Sequence, residues 1–463
     1  MNTFRLREHG SSILVAALAS AFGVVLLQIT GNLAAAIRSD DVTGSSDTVQ
    51  LMLQVLAIVF IVIAMYVSAV VTANTFATII AGRTREIALL RLIGSTAASR
   101  RRAVAAEGLV VGILGSIAGL LVGTAVSFTV TTIAVARDLM PSIAYPYLEP
   151  VLLLPIAGTV LTTWLASWVG SRRVLTVSPM AATGAAQERD AEEAGHRRGR
   201  NGLALGLFIA GTVLLGMGVV AGLVTPAGVL IGLVGGVLSF TGVVLGAQLI
   251  MPPALRLVGR MFGHGAAGRL AAENAVRYPE RASRTTIGLV IGVTLITMFA
   301  VAVETFSVMI RAAQAEQPEV YGGTEEMLVV VVSVFSVLIG FSALIAAVGM
   351  VNNLSLTVLQ RTRELGLLRA LGFSVRQLRG MIRAEAAQLT LAALLVGLVL
   401  GIGYGWAGAQ SLLGATGGIV LPAVPLWLLV AIAVVAVGLT VVTSAVPARR
   451  ATRISPVTAL AVD

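Results

Sequence analysis

Residues 83–94 read RTREIALLRLIG, and residues 361–372 read RTRELGLLRALG. The two stretches agree at every arginine, at the glutamate, at the Leu-Leu pair and at the closing glycine. Working outward at the same spacing of 278, Asn74 meets Asn352, Glu107 meets Glu385 and Gly123 meets Gly401. After a one-residue shift, Arg172-Arg173 meets Arg449-Arg450 and Ser178-Pro179 meets Ser455-Pro456. An internal repeat is therefore the organising feature of the chain.

What surrounds the repeated stretch is hydrocarbon. Of the 463 residues, 57% are apolar and 12% are charged, against roughly 25% charged in an average soluble domain. Mean hydropathy is +0.94. Continuous apolar runs predict an all-α integral membrane protein, not an alternating outer-membrane barrel. About ten transmembrane helices are expected, at 13–37, 51–80, 106–136, 149–170, 203–223, 226–250, 285–308, 327–351, 384–412 and 425–446. Each is long enough to cross ~30 Å of hydrocarbon at 1.5 Å per residue. The longest are expected to continue beyond the bilayer as helix.

The repeat groups these spans. The expected domains are a first four-span unit at 1–183, a linker at 184–202, two linker spans within 203–250 and a second four-span unit at 251–463. The leading spans are the first and the seventh of the ten, six places apart, so they cross in the same direction and the units are parallel, related by an axis along the membrane normal. The linker mixes both charge signs with glycine and has no apolar face, as a solvated connection does.

Orientation follows from the cations. The chain has no lysine, and 29 of its 32 arginines fall in segments on one side if the N-terminus is on that side too. The other side keeps Arg38, Arg137 and Arg311 beside nine acids, including Asp40, Asp47, Glu149 and Glu325. The basic side is the cytoplasmic one, so both termini are expected in the cytoplasm and the protein in a plasma membrane, multi-pass. The first apolar run is longer than a leader's core, which favours a retained span over a cleaved signal peptide.

The duplicated stretch lies at the cytoplasmic membrane surface. Its leucines and isoleucines interleave with Arg83, Arg85, Glu86 and Arg91, or with Arg361, Arg363, Glu364 and Arg369. That pattern predicts a short amphipathic helix, stopped by Gly94 or Gly372 in the manner of a helix C-terminal glycine. An anchored interfacial helix with no further task explains one copy. Two near-identical copies point to a partner that docks twice.

These loops, the glycine-rich span after each, the Arg-Arg…Ser-Pro edges and the LAAENAVRYPERASRTTIGLVIGV segment at 270–293 resemble the FtsX-like permease family of ABC transporters, the MacB type. The ten-span, two-repeat layout is similar to BceB-type permeases. The resemblance implies that the loop is a coupling helix seated in a groove of the ATPase. It assigns that role to Arg85, Glu86, Leu89, Leu90 and Gly94, and to Arg363, Glu364, Leu367, Leu368 and Gly372. It implies two copies of an ABC ATPase as partners, with ATP and Mg bound there and no cofactor in this chain. Many family members carry a large extracytoplasmic domain. Here the corresponding gaps, 38–50 and 309–326, are too short for one.

The remaining chemistry is sparse. Without lysine these residues hold no standard Walker A loop, so no ATP-hydrolysing enzyme is expected in them. Cysteine is absent and the three histidines, His9, His196 and His264, are scattered, so no metal site is expected. The net charge of +10 is read as cytoplasmic-loop bias, not nucleic-acid binding. Gly108, Gly112, Gly115, Gly119 and Gly123, with Gly397, Gly401 and Gly405, predict close helix packing. Gln28 and Asn32 are expected in helix–helix hydrogen bonds, Trp164 and Trp168 in an interfacial belt, and Glu107 and Glu385 in ion pairs at the interface. A proton-coupled transporter would need charges near the midplane, which the spans lack. The expected function is export or extraction of an amphiphilic or lipophilic substrate (drug, peptide or lipid), driven by separate ATPases. The alternative is transmission of motion to an extracytoplasmic protein partner without transport.

Overall fold

A computed structural model describes residues 10–39, 96–171, 198–262, 279–316 and 372–434, with shorter stretches between 55 and 74 and between 332 and 344. Every regular element among the described residues is helical. The chain runs through α1 (Gly10–Arg38), α2 (Ala97–Ala136), α3 (Leu153–Gly170, entered by a 3-10 turn at Pro150–Leu152), α4 (Arg198–Gly222), α5 (Gly228–Leu245), α6 (Ala247–Phe262), α7 (Pro279–Glu316) and α8 (Val375–Gly417). An apolar helix also covers described residues between Ile58 and Asn74.

Among the described residues, seven helices are long and apolar enough to cross a membrane. They fall on seven of the ten expected spans. The other three, 51–80, 327–351 and 425–446, lie across or outside the described residues. The third spans begin well before their apolar stretch, at Ala97 and Val375, so Arg101, Arg102, Arg376, Arg379 and Arg383 ride on the same helices as the spans.

The leading spans form the core. In α1, Phe22, Val24, Val25 and Leu26 are fully buried; in α7, Leu289, Val290, Ile291 and Val301 are. Most of the apolar window is buried in each, 83% and 78%, against 33% in α2. Such helices, apolar on every side, are interior elements. They touch through Phe22 and Phe299, whose ring centroids lie 6.3 Å apart.

Each third span packs along its leading span through several of the expected glycines, while Gly108 and Gly112 face Ser167 and Val160 of α3. A Cβ at Gly119 would lie 2.5 Å from that of Ser20, and one at Gly123 would lie 2.9 Å from that of Val24. In the second unit, a Cβ at Gly397 would lie 2.8 Å from that of Val293, and one at Gly405 would lie 2.5 Å from the Met298 carbonyl. Only hydrogen fits at these separations, so the glycines set the approach of the backbones. The register also aligns the leading spans: Gly119 and Gly397 differ by 278, while the residues they meet, Ser20 and Val293, differ by 273. The leading spans are thus equivalent elements, separated from the rest of their units by connections of unequal length.

Two features depart from the expected outline. The last residues of the solvated linker, from Arg198, are already helical and begin α4. The span expected to run to 250 stops at Leu245; Gly246 turns the chain and α6 follows as a separate amphipathic helix. Met251, Leu255 and Val258 bury one face of α6, while Arg256 and Arg260 stay exposed. Two hydrogen bonds tie α6 to the second unit: Gln388 Nε2 donates to the Leu255 carbonyl at 2.9 Å, and Ser283 Oγ to the Ala247 carbonyl at 3.1 Å.

Candidate functional site

Most of the duplicated handle, 83–94 and 361–371, lies outside the described residues, including Arg85, Glu86, Leu89, Leu90, Gly94, Arg363, Glu364, Leu367 and Leu368. The joint that follows it is described. Gly372 has φ of +95°, a backbone state that side chains rarely accept and helix-ending glycines commonly adopt. Two residues later Ser374 caps α8. The Ser374 hydroxyl accepts from the Gln377 N–H at 3.2 Å, and the Gln377 side chain accepts from the Ser374 N–H at 2.9 Å. This is a capping box, worth about 1 kcal/mol.

The first unit repeats the joint. Thr96, the counterpart of Ser374, caps α2 by accepting from the Ser99 N–H at 3.2 Å. One residue separates Gly94 from Thr96, as one separates Gly372 from Ser374. Each third span therefore starts at a capping hydroxyl that lies two residues after the last glycine of its handle in the sequence. One turn further, the Arg101 guanidinium sits 4.1 Å over the Trp168 ring. This cation–π contact ties the start of α2 to the end of α3. Trp164 and Trp168 are each 37% exposed, consistent with an interfacial belt.

Deeper in the bundle, the polar residues singled out in the sequence bind between helices. Gln28 Nε2 donates to Thr124 Oγ1 at 3.0 Å and to the Tyr147 carbonyl at 2.7 Å, and Asn32 Nδ2 to Thr131 Oγ1 at 3.0 Å. Glu385 is buried and Glu107 half-buried in the N-terminal parts of α8 and α2. Glu304 is half-buried on α7.

A further site had no clear signal in the sequence. The hairpin α4–α5 docks on the second unit, where a Cβ at Gly222 would lie 2.5 Å from the Ser411 backbone. Three consecutive residues of α5 then bridge the units. The hydroxyls of Ser239 and Tyr404 lie 2.7 Å apart, and those of Thr241 and Tyr66 lie 2.9 Å apart. Between them, Phe240 meets both tyrosine rings edge-on, at 6.2 Å from Tyr66 and 6.1 Å from Tyr404. Beside this clasp lies a cavity of about 290 Å³, walled by α1, the 58–74 helix, α5, α7 and α8. Phe60, Leu233, Met298 and Phe306 typify its lining.

Comparison with known proteins fits this architecture. The family model described as FtsX-like permease C-terminal matches residues 58–179 and again 336–456. These two matches cover more than half of the chain. The chain belongs to the FtsX-like permease family. Its matches start and end at the spacings of the internal repeat. Among curated relatives, it is 30% identical over 143 residues to the ABC transporter permease YknZ of Bacillus subtilis, covering 31% of this chain and 34% of that one. It is 27% identical over 129 residues to the ABC transporter permease YtrF of the same organism, covering 26% and 30%. It is 35% identical over 126 residues to the macrolide export ATP-binding/permease protein MacB of Nitrobacter winogradskyi, covering 27% and 19%. The aligned region spans about a third or less of each relative.

Proposed function

We propose that this chain is the transmembrane permease subunit of an ABC transporter in a bacterial plasma membrane, with both termini cytoplasmic. Two separate ATPase subunits, carrying ATP and Mg, grip the handles at 83–94 and 361–372. Their closure moves the two four-span units against each other and expels an amphiphilic or lipophilic substrate. The observation that carries this reading is the paired cap: Thr96 and Ser374 stand at the repeat spacing and each closes the start of a third span with a hydroxyl, directly after its handle in the sequence. Force applied to either handle passes into a helix of 40 or more residues that is locked by glycines to a buried leading span. Family membership and the permease relatives support the same role.

Within the handle, Glu86 and Glu364 offer a carboxylate to a basic rim, and the Leu-Leu pairs offer an apolar knob. Charge reversal at both, Glu86→Arg with Glu364→Arg, is expected to abolish co-purification of the cognate ATPase while the permease stays folded. Unchanged association would overturn the assignment. Reconstitution in proteoliposomes separates export from its alternative: export requires ATP-dependent loss of substrate, whereas stimulation of ATPase activity by an extracytoplasmic partner alone would mark a transmitter of motion.

A further inference from the structure

The cavity beside the clasp has an unusual chemical economy. Five residues on its wall carry a hydroxyl: Thr30, Tyr66, Thr294, Tyr404 and Ser411. All five are engaged within the protein. Thr30 donates to the Leu26 carbonyl at 2.7 Å, Thr294 to the Val290 carbonyl at 2.7 Å and Ser411 to the Ala407 carbonyl at 2.6 Å. The two tyrosines bond to Thr241 and Ser239 on α5. The rest of the wall is hydrocarbon, glycine or the Met298 thioether. The hydroxyls of Thr30, Thr294 and Ser411 spend their one donor within their own helices and leave only weak acceptor capacity facing the space, and water needs two to four polar partners to occupy it.

Size narrows the occupant. At about 290 Å³, the cavity is roughly twice the ~150 Å³ apolar void that takes up benzene, room for roughly a dozen carbons by that scaling. Its walls are membrane-spanning helices, so the surrounding solvent is itself hydrocarbon chain.

We infer that this cavity is a binding site for one acyl chain, walled on one side by the linker hairpin and held shut there by the Tyr66–Phe240–Tyr404 clasp. The chain inserts between the two units, against both leading-span helices, where the proposed motion would act. The site requires only that these helices span a bilayer, not that an ATPase drives them, so it stands or falls apart from the proposed function.

The test is photolabelling of the full chain in nanodiscs. Two probes are used in parallel: phosphatidylglycerol with a diazirine at the end of a palmitoyl chain, and the corresponding free palmitic acid. Gly408 lines the cavity and faces open space, as does Gly236 apart from one leucine methyl at 4.0 Å. Gly408→Phe and Gly236→Phe therefore fill the cavity by two independent routes. Gly403 is exposed with nothing near it, so Gly403→Phe is the matched control. Label at Met298 is expected in the unaltered chain and in the control, and at least fivefold less in either filled variant. Label at lipid-facing Val399 should stay constant throughout. Labelling by the phospholipid identifies a bilayer lipid as the source; labelling by palmitic acid alone identifies a single-chain amphiphile. Absence of label at Met298 from both probes, or label there that neither filling reduces, would overturn the site.

Discussion

The two third spans, α2 and α8, derive from one repeated sequence and do the same thing on one side and different things on the other. On the inner side both press glycines against a leading span, at matching register. On the outer side α8 receives the hairpin through Tyr404 and Ser411, while α2 has Val126 and Ile133 at the equivalent positions. Ile133 is 49% exposed, whereas Ser411 is fully buried. Duplication thus fixes a common inner seam, and a few substitutions on the back of one helix decide which unit carries the linker. A small hydroxyl admits the close approach of Gly222; a β-branched residue leaves a surface suited to lipid.

The largest effect is expected at the inner seam. A Cβ at Gly401 would overlap the Thr297 side chain and lie 2.8 Å from the Thr294 carbonyl. Gly401→Ala should cost about 3 kcal/mol, toward the upper end for overpacking, read as a loss of monodisperse protein or a lower Tm. Gly403→Ala, two residues away in open space, should be neutral or stabilising by up to about 1 kcal/mol through helix propensity. Equal effects at the two sites would break the idea of a seam.

Swapping the outer residues sharpens the comparison. Ser411→Ile should cost about 2 kcal/mol by wedging Gly222 away, and should speed proteolysis within α4–α5. The reciprocal Ile133→Ser should change melting little. Next comes the clasp: Tyr404→Phe and Tyr66→Phe each remove one hydroxyl pair and keep the ring, for about 1 kcal/mol apiece. Because both act through α5, the double variant should be non-additive in a thermal-melt cycle. At the joints, Ser374→Ala should cost no more than about 1 kcal/mol and Thr96→Ala less, since only Ser374 completes a capping box. The matching readout is amide exchange in the first turn of α8 against that of α2.

The sequence made the spans legible because crossing hydrocarbon demands long apolar runs, and made their pairing legible because glycines at four-residue spacing must meet another backbone. Gln28 and Asn32 were legible for a related reason: an amide inside a span needs a partner on a neighbouring helix, and both found one. The break at Gly246 was hidden because the apolar run continues through Leu249 and Ile250; Pro252-Pro253 and the spacing of Arg256 and Arg260 were the signals of a new helix. The docking of α4–α5 on the second unit was not legible. Ser239 and Thr241 sit in a glycine-rich run whose composition is the same whichever unit it faces; they pair with a tyrosine from each unit, and it is the close approach of Gly222 to Ser411 that selects the second. The acyl-chain cavity was hidden for the same reason, since an apolar wall looks alike in sequence whether it meets lipid, protein or a void.

The central claim is that an external motor holds this bundle at two equivalent points. Native mass spectrometry of the complex purified with its ATPase tests it most directly. Two ATPase copies per permease chain are predicted, falling to one with Glu364→Arg alone and to none when Glu86→Arg is added. A complex that keeps both copies after both reversals would contradict it.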